Sequence, residues 1–296
     1  MRWFSSCALA LGCCLAAGQA PASSSGTASL GPLTVTLVDL DLGDGIIPSV
    51  TFAPAYGQVS RAYAWALDPF GATGYDEHGS PDAWADASAG VALALSRATA
   101  SVSGAAPSGS GAQLIAQGSY DDFDAAAGQY AQYAATAAGP YIADGSFTLS
   151  AATRLTISGW GSVAAQASSG YPSHGDFANA NVILDLQGPG SDPSQAFLFG
   201  NCFSTTGEGP CTANDADILT VSFSNTTTGS VSGSVRAVAY ASGYSYANTV
   251  PEAGSWALLL SGLPLLLLSR RCQPFKRHFT STVRGLTGGS EPMSQS

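Results

Sequence analysis

Leu33-Thr34-Val35-Thr36-Leu37-Val38 alternates apolar and hydroxyl side chains and is rich in β-branched residues. A period of two with that composition is what a half-buried β-strand requires. Related signals recur outward along the chain. Val91-Ala92-Leu93-Ala94-Leu95-Ser96-Arg97-Ala98-Thr99 reads as a strand of small and apolar residues. Phe147-Thr148-Leu149-Ser150, Arg154-Leu155-Thr156-Ile157-Ser158 and Val182-Ile183-Leu184-Asp185-Leu186 fit short strands. Ala196-Phe197-Leu198-Phe199 and Leu219-Thr220-Val221-Ser222-Phe223-Ser224 do too. Clusters of Gly, Pro, Asn and Asp separate them.

Helical periodicity is weak throughout. Ala125–Ala138 suits a helix by propensity, but the Gln129-Tyr130-Ala131-Gln132-Tyr133 rhythm suits a strand and is preferred here. Ile157-Ser158-Gly159 and Val231-Ser232-Gly233 open two segments of similar composition, which predicts two similar long strands. Many short strands with Gly-rich turns predict an all-β fold, an antiparallel β-sandwich or jelly roll over residues 23–249.

The chain has 296 residues, a net charge of -10 and only 10% charged residues. High apolar content with so little charge excludes a disordered polyelectrolyte. The acidic balance excludes nucleic acid as a partner, since phosphates demand a basic face. Residues 23–249 hold 18 acids and four bases, Arg61, Arg97, Arg154 and Arg236. Residues 272–296 form a basic polar tail.

Residues 1–22 read as a signal peptide. Arg2 gives the positive start, Trp3–Ala17 the apolar stretch, and Ala20-Pro21-Ala22 the small-x-small cleavage pattern. Cleavage is expected after Ala22, with Ala20 and Gly18 as alternatives. A lipoprotein reading would use Cys13 instead. Export places Cys202 and Cys211 in an oxidising compartment, where they can pair across an eight-residue loop. Closure of so short a loop contributes about 2–3 kcal/mol at most. Without a CxxC pair or a nearby His, these two cysteines make a poor zinc site.

The C-terminal region carries Val250-Pro251-Glu252, then an apolar run from Trp256 through Gly262 to Leu268, then Arg270-Arg271. This run of thirteen residues falls short of the ~20 that cross a bilayer comfortably. The arginines mark a cytoplasmic end by the positive-inside rule. This tripartite segment, residues 250–271, resembles the PEP-CTERM sorting signal of Gram-negative bacteria. The resemblance implies export through the inner membrane, a transient anchor formed by one hydrophobic helix, and an exosortase as processing partner. It also implies release to the cell surface or outside, and association with exopolysaccharide. Two departures are visible: Ala253 replaces the second proline of the motif, and residues 272–296 run past its usual end. The stretch from Asp39-Leu40-Asp41-Leu42-Gly43-Asp44 through Pro48 to Val50-Thr51-Phe52 also resembles an N-terminal motif of exosortase-associated proteins.

Candidate chemistry is sparse. Asp39, Asp41 and Asp44 could offer oxygens to Ca²⁺, or form a polar turn in which Gly45 takes a positive φ. Asp68, Asp76, Glu77, His78, Asp82 and Asp86 lie among Trp65, Phe70, Tyr75 and Trp84, a mixture suited to sugar binding, to glycoside hydrolysis or to a solvated loop. Asp121, Asp122 and Asp124 read the same way. His174 is expected in a turn, with no nucleophile motif beside it. Asn225-Thr226-Thr227 matches a glycosylation sequon, which bacterial export makes an accidental match. The sequence thus points to a non-enzymatic surface or matrix protein with no cofactor. The alternative is a carbohydrate- or calcium-binding sandwich on a plain single-pass anchor.

Overall fold

A computed structural model describes residues 23–52, 60–80, 85–104, 111–121, 129–139, 147–168, 174–204 and 209–247. The leader, the Val250–Glu252 motif, Trp256, Gly262, Leu268, Arg270, Arg271 and the basic tail lie outside these residues, as do Asp82, Trp84, Asp122 and Asp124. The described residues form fifteen strands, numbered along the chain, and no helix.

One sheet has seven strands. Its order is β14 (Cys211–Asn225), β11 (Thr153–Ser168), β1 (Ser23–Leu30), β8 (Gln113–Tyr120), β7 (Ser96–Ser103) and β6 (Ala87–Ala92), with β2 (Thr34–Asp39) also beside β11. The other has eight. Its order is β13 (Ser194–Ser204), β12 (His174–Gln187), β15 (Val231–Ala247), β9 (Tyr130–Gly139), β4 (Ser60–Leu67) and β5 (Thr73–Ser80), with β10 (Phe147–Leu149) beside β15 and β3 (Val50–Phe52) beside β10. The strand pairings are antiparallel. The inner faces share one apolar core, so the arrangement is sandwich-like. The two segments of similar composition lie on the long strands β11 and β15.

Among the described residues, half of the buried apolar ones are alanine. Small side chains on both inner faces leave little room between the sheets, so large ones need space made for them. Tyr133 shows how. Its ring is fully buried, and a Cβ at Gly118 of β8 would overlap it. A Cβ at Gly243 of β15 would stand 2.5 Å from its Cε1. The glycines therefore form the socket, and the tyrosine fills it.

The two open seams between the sheets close differently. At one, Cys202 of β13 and Cys211 of β14 form a disulfide with Cα atoms 5.5 Å apart, joining the edge strand of each sheet. At the other, the Gly90 N–H of β6 donates to the Asp76 carboxylate of β5 at 2.8 Å. The pairing expected from the two cysteines is thus present.

Three local expectations change or sharpen. Val91–Thr99 is a hairpin and not one strand: β6 ends at Ala92 and β7 starts at Ser96. The turn forms because Ala94 and Leu95 donate their N–H groups to buried Asp68, each at 3.1 Å. His174 opens β12 opposite Ala247 and does not sit in a turn. Tyr130–Gly139 is a strand, with Ala131, Tyr133, Ala135 and Ala137 all inward.

Candidate binding face

The outward side of the eight-stranded sheet is built by register. Strand alternation points Phe197, Phe199, Asn201 and Phe203 of β13 away from the core, and these four are exposed. Pairing then aligns rows across the neighbouring strands. One row runs Phe203, Phe177, Tyr244, Gln132. The next runs Asn201, Asn179, Ser242, Ala134 and continues to Trp65 and Tyr75. A third runs Phe199, Asn181, Tyr240, Thr136, Tyr63. Rows bearing rings therefore flank a middle row that carries the amides Asn201 and Asn179, with Asn181 beside them in the third row.

The rings contact one another. Phe177 and Tyr244 stack at 5.2 Å between centroids, Tyr244 and Tyr246 at 6.1 Å, and Phe197 lies 5.0 Å from Phe199. Tyr63 and Tyr75 meet edge to face at 5.5 Å. In the amide row, Asn179 donates to Asn201, and Asn181 donates to Asn179 at 3.1 Å. No charged residue stands on the outward positions 197–203 of β13, 177–183 of β12, 240–246 of β15 or 130–136 of β9. Charge appears only at the margins, already paired. Arg236 Nε donates to Asp185 at 2.7 Å. Arg61 Nε meets Glu77 at 2.7 Å, and its guanidinium lies 5.7 Å from the Tyr63 ring centroid. Tyr75 donates to Glu77, which raises the phenol and lowers the carboxyl from their ordinary values.

The residues singled out from sequence are mostly structural. The Asp39, Asp41 and Asp44 carboxylates accept the N–H groups of Asp41, Gly43 and Ile46 at 2.9, 3.0 and 2.7 Å. Each therefore caps its own turn, and Gly45 takes a φ of 69° as the turn reading requires. Among the described residues no three His, Cys, Asp or Glu side chains converge on a metal position. The Asp68–Asp86 stretch is dispersed. Asp68 holds the β6–β7 turn, Asp76 bridges the seam and lies 3.2 Å from His78, and Asp86 accepts from Gly104 N–H at 3.0 Å. Trp65 and Tyr75 from that stretch do reach the outer face. Asp121 meets Arg97 at 3.4 Å. Asn225 is buried and donates to the carbonyls of Ser150 and Gly229, both at 2.8 Å, so the sequon amide is already engaged.

One buried polar group escaped the sequence reading. Asp176 of β12 is fully buried opposite Ser204 and Ser245. Burial pushes its carboxyl up to about 6, while Ser245 and Tyr120 act in the opposite direction. Nearby, Ser24 Oγ donates to the Phe177 carbonyl at 2.8 Å and lies 3.2 Å from the Tyr133 hydroxyl. Burial raises both Tyr120 and Tyr133 well above the ordinary phenol value. These groups serve the interior, whereas the ring-and-amide face meets solvent. No family model, curated protein or solved structure matches the chain.

Proposed function

We propose that residues 23–249 are the body of a non-enzymatic surface or extracellular-matrix protein of a Gram-negative bacterium. In this reading the leader 1–22 carries it through the inner membrane. Trp256–Leu268 holds it as a transient anchor, and an exosortase severs it near Val250-Pro251-Glu252. It then acts at the cell surface or outside, in association with exopolysaccharide.

The observation that carries the reading is the Cys202–Cys211 bridge between the two edge strands. Such bonds persist in oxidising compartments and are rare where thiols are kept reduced. The side chains nearest to chemistry, Asp68, Asp76 and Glu77, are already engaged in turns, seams and ion pairs. That use favours a structural and binding role over hydrolysis.

Intact-mass analysis of the native protein from an exosortase-containing host tests the proposal. The expected species begins near Ser23, carries the disulfide and ends near Pro251-Glu252. Glu252→Ala should leave full-length protein in the inner membrane. Retention of residues 256–296 at the final location would replace sorting by a plain single-pass anchor.

A further inference from the structure

We propose that the outer face of the eight-stranded sheet binds an extended, neutral polysaccharide, laid along the amide row between the two aromatic rows. The proposal deepens the surface-protein reading and rests on it only for where the glycan is met. The binding chemistry stands on the face itself.

Exposed rings are costly to keep in water without a use, and contiguous apolar patches mark interaction surfaces. Phe199 and Phe203 are 51% and 48% exposed, and Tyr244 37%. A pyranose presents axial C–H groups on its flat side and hydroxyls around its rim. The C–H groups carry partial positive charge and suit the negative face of an aromatic ring. The hydroxyls both donate and accept, as do Asn179, Asn181, Asn201 and Ser242. Rings and amides alternate on this face because side chains two apart share one side of a strand. That places the rows about 6.7 Å from each other, and neighbouring strands about 4.8 Å apart. A glycan crossing the strands therefore meets Asn201, Asn179 and Ser242 on three successive strands, β13, β12 and β15, a repeat close to the length of one sugar unit, and then runs over Ala134 to the rings of Trp65 and Tyr75.

Charge selects among partners. Anionic lipid surfaces and nucleic acids are both held by Lys and Arg, and the centre of this face carries neither. An anionic polysaccharide would meet no cation there and would be repelled by the acidic body. A protein partner would have to desolvate and re-pair a central row of amides. A neutral hydroxyl-rich chain satisfies those amides directly and needs no counter-charge.

The test uses the full chain, exported and oxidised, in micelles of a detergent without a sugar headgroup. Isothermal titration is run with cellohexaose, laminarihexaose and mannohexaose, and with hexagalacturonate as the anionic control. At least one neutral hexasaccharide should bind, and hexagalacturonate should not. Tyr244→Ala, Phe177→Ala and Asn179→Ala should each weaken that binding about tenfold. Trp160→Ala, on the outer side of the other sheet, should leave it unchanged. Thermal unfolding of each variant separates lost binding from lost folding. Absence of binding by all three neutral probes overturns the proposal, as does preference for hexagalacturonate. Sedimentation that shows a dimer dissolved by Tyr244→Ala would assign the face to a second copy of the chain and also overturn it. None of these outcomes bears on proteolytic processing, which the mass of the cellular protein reads separately.

Discussion

The two outward faces of this sandwich solve the same folding problem with different residues. On the seven-stranded sheet the outer positions are mainly serine, threonine and glutamine, and hydroxyls pair across strands. Ser29 and Ser162 lie 2.7 Å apart, Ser23 and Ser168 2.9 Å, and Thr34 and Ser158 2.9 Å. Val38, Trp160 and Ile218 are the large apolar side chains exposed there. The eight-stranded sheet carries rings and amides at the equivalent outer positions. Both sheets stand over the same alanine-rich core, so folding alone does not require the aromatics. The hydroxyl face shows what a solvated outer surface of this protein looks like when it has only to fold. The ring-and-amide face departs from that pattern.

Removing tyrosines from inside and from outside one sheet separates the two roles. Tyr133→Ala empties the socket made by Gly118 and Gly243, and should cost about 3–5 kcal/mol in urea unfolding. A loss below ~1 kcal/mol would mean that the sheets close over the vacancy. Asp176→Asn should act in the opposite direction at neutral pH. A carboxyl raised from 3.8 to about 6 on folding prefers its acid form by roughly 3 kcal/mol. The folded value exceeds the unfolded one, so the native state holds its proton more tightly. That contribution is complete below about pH 4 and is lost as pH rises through about 6. Asp176→Asn should therefore gain up to ~3 kcal/mol over wild type at pH 7 and little at pH 4. Equal gains at both values would rule out the buried carboxyl as the cause.

Replacing Cys202 and Cys211 together by serine should cost about 2–3 kcal/mol, because the bridge closes a short loop. The urea midpoint should fall, and reductant should then have no further effect on the variant. The smallest change belongs to the outer face. Tyr244→Ala should alter stability by no more than ~0.5 kcal/mol. A loss approaching that of Tyr133→Ala would make the outer rings structural and erase the contrast between the faces.

The sequence shows its β-character most clearly where strands are apolar and β-branched. The stretch Leu219–Ser224 falls within β14, and Val182–Leu186 within β12. Strand β1 was not legible. Ser23-Ser24-Ser25-Gly26-Thr27-Ala28-Ser29-Leu30 looks like a polar linker, yet it lies between β8 and β11. Its inward residues Ser24, Gly26 and Ala28, which precede Leu30, are small because the opposing sheet is close: a Cβ at Gly26 would stand 2.8 Å from the Asn179 carbonyl. The β6–β7 turn was hidden for a related reason. Leu93-Ala94-Leu95 contains no turn residue, and its cap, Asp68, stands 26 and 27 residues from the N–H groups that it accepts. The ring-and-amide face was invisible because it is a product of register. Phe177, Phe203 and Tyr244 are distant in sequence, and only pairing places them in one row.

Strand β15 has a mechanical consequence. It is the longest strand among the described residues, it runs between β12 and β9, and it bears Tyr240 and Tyr244 on its outer side. Tension between a ligand gripped at Phe177 of β12 and the end of β15 at Ala247 would cross the ladder between these two strands along their axes. That ladder would be loaded in shear, so many hydrogen bonds must fail together instead of unzipping one by one. A strand peeled from a sheet edge has no such protection. The position that supplies rings to the outer face is also the one best placed to bear a sustained pull.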